Sequence, residues 1–317
     1  MVTKRNRHAY VMLVVISVSV LMITLLSTLA TLSLRRGLEA ADAERSLQQR
    51  WGAITLERAL LFQAPKLFEA REALAAEQDP GQPAEPFLRT AITLRDVTFD
   101  VLLGDEDAKL NLNAVYHQSG EVDAARAAME IIGPGAGRAL KLVPAVKPIA
   151  MDQASLGQND RDQGGDEDAE QEIGLPLAFR SWGEVFDLRT LSETSGGPAA
   201  LPNLTTGMTC WGNGQLNFRR ASDEAILEVA GTVVQDGGAQ RLLTRYRSSP
   251  TATLAVLLQS EVASQRERDL LARLLSETSS NFSIWLDAST RGGRSLRRFT
   301  VQFRDAEGDT RYSRFVD

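Results

Sequence analysis

Three consecutive acidic side chains, Asp105, Glu106 and Asp107, with Lys109 close behind, form a dense proton-handling group. Neighbouring carboxylates serve as the acid and base of hydrolysis when one of them is held protonated in a cleft. Here Gly104 precedes them and alternating apolar residues flank them. That pattern places them in a hairpin turn, and a solvated turn is the expectation. Cys210 stands beside Trp211 with no His nearby in sequence to take its proton, so a small buried residue is expected there, not a nucleophile. His8 and His117 are not set among carboxylates or thiols at ligand spacing, which argues against zinc. Asp160, Asp162, Gly165, Asp166 and Asp168 stand at the first, third, sixth, seventh and ninth places of a calcium loop. The fifth place is Gly164 and the twelfth Gln171, with Glu172 one residue late. A solvated loop over residues 157–172 is therefore the expectation, and Ca²⁺ the alternative. The G-x-S-x-G, P-loop, dinucleotide-binding and H-E-x-x-H patterns are absent. No enzyme is expected. The net charge is −6 and no basic stripe is interleaved with aromatics, so nucleic-acid binding is not expected either.

The elements that would position these residues begin at the N-terminus. Residues 9–34, AYVMLVVISVSVLMITLLSTLATLSL, hold no charge, Pro or Gly. As a helix they reach ~39 Å, beyond the ~30 Å hydrocarbon core of a bilayer. A cleaved secretory signal has a shorter apolar region followed by small residues. This run is closed by Arg35 and Arg36, which predicts a retained single-pass anchor in membrane lipid. Lys4, Arg5 and Arg7 on one side nearly balance Arg35, Arg36, Arg45 and Arg50 on the other, so charge alone leaves the orientation open. Beyond Arg35 the pattern stays helical. Leu47, Trp51, Ile54 and Leu61 share a face, Gly37 and Gly52 weaken the helix, and Pro65 marks an interruption. Either one helix runs from Tyr10 to about Gln63, or an anchor is followed by a separate helix.

Downstream, residues 78–86 read as a loop. Val97, Phe99, Val101 and Leu103 alternate as a strand, residues 104–107 turn, and KLNLN reads as the second arm of a hairpin. A helix over 121–132 is stopped by the GPGAG of 133–137. Residues 152–174 are polar and acidic enough for a surface loop. A short helix is predicted over 181–191. Helices follow near 222–231, 238–247, 251–258 and 265–276, then strands at 282–287, 296–304 and 310–316.

Two stretches, DEDAKLNLN from Asp105 to Asn113 and LTTGMTCWGNGQLNFRRASDEAILEVAG from Leu204 to Gly231, follow the apolar helix in order. Together with it they resemble the general secretion pathway protein K family, the minor pseudopilins of type II secretion. In that family a hairpin strand ends in DE-x-G-K/R-L/F-N-L-N; Asp105, Glu106, Lys109, Leu110, Asn111, Leu112 and Asn113 match. A later "lT…g…iNvNtA" pattern opens a helix near "vL"; Leu204, Thr205, Gly214, Leu216, Asn217, Ala221, Ile226 and Leu227 match. The residues have a plain physical use: Asn bonds to nearby backbone and closes a strand into a turn, so Asn111, Asn113 and Asn217 are expected to fix backbone rather than hold a ligand.

The resemblance implies an α+β, pilin-like fold, a long N-terminal helix packed on an antiparallel sheet with a mostly helical region inserted. It divides the chain into a basic leader (1–9), the membrane half of the helix (10–34), the rest of the helix with a first hairpin (35–120), an insert (121–203) and a final helical and strand region (204–317). It implies processing by a prepilin peptidase, which in the family cuts after Gly and before Phe or Met; the equivalent junction is Ala9–Tyr10. Most pseudopilins carry Glu five residues into the mature chain. The place is Val14 here, and the K-type member lacks that Glu. The family's Asp-Trp-x-Asp motif in the insert is not found. The implied partners are the other minor pseudopilins and the major pseudopilin. The implied place is the inner membrane, with the body periplasmic, at the tip of a pseudopilus. The alternative is a membrane-anchored extracytoplasmic binding or sensor module unrelated to secretion.

Overall fold

The computed structural model of the chain describes residues 3–78, 83–148, 177–194, 200–234, 236–249, 251–289, 296–304 and 309–316. The acidic stretch expected as a loop, and with it the candidate calcium places, lies outside the described residues.

One helix, α1 (Thr3–Gln78), spans 76 residues, about 114 Å at 1.5 Å per residue. It does not stop near Gln63. Pro65 lies inside it, and although proline withholds one backbone donor, the turns around it are pinned by burial of Leu61, Ala64 and Phe68. The predicted face is only in part the packed one: Leu61 is buried and Ile54 half-buried. Leu47 and Trp51 are exposed, and the buried residues are Gln49, Ala53, Leu56, Glu57, Leu61, Ala64 and Phe68. The reason is close approach. A Cβ on Gly52 would sit 2.5 Å from Cζ of Phe99, so the helix meets the sheet through small residues that a search for large apolar ones passes over.

The sheet is antiparallel, in the order β1 (Phe87–Leu94), β2 (Val97–Asp105), β7 (Phe282–Ser289), β8 (Leu296–Arg304) and β9 (Thr310–Val316). Its first hairpin differs from expectation. The partner of β2 is β1, through the turn Arg95–Asp96, and KLNLN is not a second arm. Gly104 and Asp105 belong to β2, Glu106–Ala108 form a 3₁₀ turn, Leu110–Asn111 form a short strand β3, and Leu112–Ser119 form helix α2. Two features override the alternation in KLNLN. Asn111 caps α2, and Leu110 pairs in parallel with Met208 of β4 (Met208–Thr209) instead of turning back.

Alternation then gives the sheet two faces. Val97, Phe99, Val101, Leu103, Phe282, Ile284, Leu286 and Ala288 pack with α1. Leu102, Trp285, Phe299 and Val301 face a mostly helical body built between β2 and β7. That body includes α2, α3 (Glu121–Gly137, with Gly133 at φ 75°, ψ 166°), and helices at Asp223–Gly231, Asp236–Ser248, Leu254–Glu261 and Gln265–Leu274. The single helix expected over 181–191 is two, Trp182–Val185 and Leu188–Thr194. Phe186 leaves the helical path to bridge Leu140. The last two short strands, β5 (Leu216–Asn217) and β6 (Leu275–Ser276), pair in parallel. Helix, antiparallel sheet and inserted body make three layers, the α+β pilin-like arrangement.

Candidate functional site

The acidic triplet is not a solvated turn. Asp105, Glu106 and Asp107 are at most 5% exposed. They sit where the end of β2, the start of β7, the inserted body and the far end of α1 meet. Burying a carboxylate is costly unless it is paired and fully hydrogen-bonded, and the surroundings supply the partners. Arg220 reaches Asp105 at 2.9 Å and, with its other edge, Glu72 of α1 at 2.9 Å. Ser279 donates to Asp105 at 2.7 Å. Glu106 holds Lys109 at 2.5 Å and accepts from the hydroxyls of Thr209 and Ser283.

Asp107 has neutral donors instead. The backbone N–H groups of Ser280 and Asn281 lie at 2.7 and 3.0 Å, and the Asn281 amide at 2.5 Å. Burial, then the neighbouring charge of Asp105, raise its pKa from 3.8 to about 7, against the pull of those donors. Burial also raises Asp105, opposed by Ser279 and Arg220. The oxygens of all three carboxylates are thus engaged by the protein itself. Chemically the arrangement is a clasp: it ties the insert to the sheet through Ser279–Asn281 and to the long helix through Arg220.

The three Asn residues sit around this clasp. Asn111 accepts from the Ala114 N–H at 3.1 Å, capping α2, and donates to the Trp211 carbonyl at 2.9 Å. Asn113 is buried and bonds both backbone groups of Phe179, donating at 3.0 Å and accepting at 2.7 Å, while also donating to the Cys210 carbonyl at 2.6 Å. Asn217 accepts from the Arg219 N–H at 3.1 Å and donates to Ser279 at 2.8 Å. These side chains gather residues from 111 to 279 into one junction. Cys210 is buried beside them, and burial, followed by the charges of Glu106 and Glu184, raises its pKa well above the usual range, so the thiol stays protonated at neutral pH.

A second buried charge was not visible in the sequence. Glu57 of α1, 2% exposed, meets Arg298 of β8 at 2.7 Å, Arg314 of β9 at 2.9 Å and the Thr300 hydroxyl at 3.1 Å. The signal was there in part. In LRRFTVQF the Arg298 and Thr300 positions alternate with Phe299 and Val301 and so face the helix. Glu72, Arg220, Ser279 and Asn281 were missed in the same way, because their partners are remote in sequence.

The other candidate surface is the near half of α1. Residues 10–34 are exposed throughout, an apolar cylinder on which none of the described residues outside α1 packs. Val14 is on this cylinder, 42% exposed; Ala9 and Tyr10 lie in the same unbroken helix. From Arg35 to Gln48 the helix is a bare stalk, exposed or half-exposed, of roughly 20 Å.

No family model matches the chain, and no curated protein matches it. Among solved structures it is similar to a chain of the GspK-GspI-GspJ complex from the enterotoxigenic Escherichia coli type 2 secretion system. The identity is 12%, the alignment covers 88% of this chain and 99% of that one, and the TM-score is 0.38.

Proposed function

We propose that this protein is a non-enzymatic, membrane-anchored minor pseudopilin of K type. Its apolar half-helix assembles among the helices of other minor pseudopilins and the major pseudopilin in the inner membrane. Its periplasmic body caps the tip of a type II secretion pseudopilus. The observation that carries this reading is the single helix that joins a bare apolar half to a half seated on an antiparallel sheet. An anchor that only tethers an independent domain needs no such continuity. The bulk of the inserted body supports a terminal place, since it is too large to repeat along a thin filament. Val14 supports it too. Without a carboxylate there, the subunit cannot pair with a neighbour's terminal amine inside the membrane. On this reading a prepilin peptidase cuts between Ala9 and Tyr10.

Deletion from its own cells tests the proposal. Proteins normally secreted should accumulate in the periplasm. The full chain should restore their release, and a chain lacking residues 10–34 should not. The mature protein should begin at Tyr10 by N-terminal sequencing. Unchanged secretion in the deletion strain would overturn the reading in favour of an anchored sensor or binding module.

A further inference from the structure

Asn213 and Gly214 are the one Asn-Gly pair in the sequence. They lie in the turn that carries the chain from β4 to β5, and Asn213 is exposed there. Two bonds to Gln215 hold the Asn213 side chain. Its Oδ1 accepts from the Gln215 N–H at 3.1 Å, and its Nδ2 donates to the Gln215 side-chain oxygen at 3.0 Å. The first bond folds Cγ back over the backbone, towards the Gly214 nitrogen inside the ring that the bond closes. Gly214 stands at φ 84°, where glycine is favoured, and has no Cβ to shield that nitrogen. Other asparagines are placed differently. Asn111, Asn113, Asn217 and Asn281 are buried, and Asn203 precedes the bulkier Leu204 and accepts from Arg89.

We propose that Asn213 is a modification site at which the folded chain deamidates itself. Hydroxide removes the Gly214 N–H proton, and the nitrogen attacks Cγ of Asn213. The N–Cγ bond forms, the Cγ–Nδ2 bond breaks, and Nδ2 takes a proton from water and leaves as ammonia. Water then opens the cyclic succinimide. Attack at Cγ gives aspartate; attack at the main-chain carbonyl of residue 213 gives isoaspartate, with the chain running through the former side chain. The fold helps the first step twice. The Gln215 N–H faces the oxygen on which negative charge gathers, as an oxyanion donor does. The held side chain also removes the search for a reactive rotamer that an unfolded chain must make. The site is independent of the pseudopilin reading.

The turn is strapped to the acidic clasp at both ends. Before it, the Trp211 carbonyl accepts from Asn111 at 2.9 Å, and Gly212 lies so close that a Cβ would sit 3.2 Å from Oδ1 of Asp107 and from the Asn281 amide nitrogen. After it, Asn217 donates to Ser279 at 2.8 Å. Isoaspartate lengthens the backbone between those straps and adds a carboxylate near the buried three. Deamidation therefore loosens the junction of helix, sheet and insert in a step that does not reverse.

To test this, the full chain, purified in detergent, is held at neutral pH in water enriched in heavy oxygen and its peptides are mapped over time. Residue 213 should lose ammonia, take up heavy oxygen and become a substrate for an isoaspartyl methyltransferase. Asn203 and Asn217, in the same tryptic peptide from Thr190 to Arg219, should stay unchanged. A synthetic peptide of residues 208–219 serves as the unfolded reference, and conversion in the folded chain should be at least as fast. The melting temperature of the aged chain should fall in step with its isoaspartate content. Asn213→Gln, at the same exposed place, should show neither change, because its longer side chain would have to close a larger ring. An intact Asn213, or conversion slower in the folded chain than in the peptide, would overturn the site. A melting temperature that holds while isoaspartate accumulates would overturn its effect on the clasp.

Discussion

Asp107 is a buried carboxylate whose charge the fold tolerates poorly, because its partners are amides and not a cation. Its folded pKa of about 7 lies above the ordinary 3.8. Between those values the folded state holds a proton that the unfolded chain has released. The contribution to stability is therefore full below about pH 4, falls as pH rises and is gone above about 7. A shift of this size is worth up to ~4 kcal/mol. Asp107→Asn should flatten that slope, so that urea unfolding free energies at pH 4.5 and 8 differ less in the variant than in the parent. Parallel pH profiles would mean that Asp107 is ionised in both states. Glu57 behaves differently, since it answers two arginines. Glu57→Gln should cost about 3–5 kcal/mol, the penalty for breaking a buried ion pair from one side, measured by the same denaturant titration at neutral pH.

At the scale of elements, the approach of α1 to the sheet is set by the absence of a side chain. Gly52→Val would drive atoms into the Phe99 ring, where even a Cβ lies 2.5 Å from Cζ. Overpacking of this kind costs about 1–3 kcal/mol. Phe99→Leu in the same chain should recover part of the loss, because the two sites share one space; strictly additive losses in denaturant melts would contradict that. This contact also shows where sequence reading succeeds and fails. The apolar run of 9–34, the strands β7, β8 and β9, with the alternation of Phe299, Val301 and Phe303, and the helix near 222–231 follow from local period and composition, and all were legible. The inner face of α1 was not, because Gly52, Ala53 and Ala64 carry no hydrophobic signal and Trp51 carries a large one pointing elsewhere. β1 was missed because its side chains are at best half-buried, which leaves little pattern. The clasp was read as a turn because Asp105, Glu106 and Asp107 look hydrophilic until Arg220, Ser279 and Asn281 are brought to them from more than a hundred residues away.

Seen as a whole molecule, the chain separates into a bare apolar half-helix and a body joined by a stalk. Since nothing described packs on residues 10–34, a chain starting at residue 35 should stay soluble and melt cooperatively; aggregation in gel filtration would show that the apolar half-helix also stabilises the body. The order in which the body is completed is constrained more tightly. Asp107 and Asn281 are 174 positions apart, yet they fasten the two neighbouring strands at the middle of the sheet. Closing a loop of that length costs on the order of 4–5 kcal/mol before any contact repays it. Until residues 282–289 arrive, β2 presents a long apolar strand edge with no neighbour on that side, a known template for aggregation. During synthesis the protein therefore passes through a stage at which most of its chain exists but its central strand does not, and a chain cut short anywhere before Phe282 is trapped there.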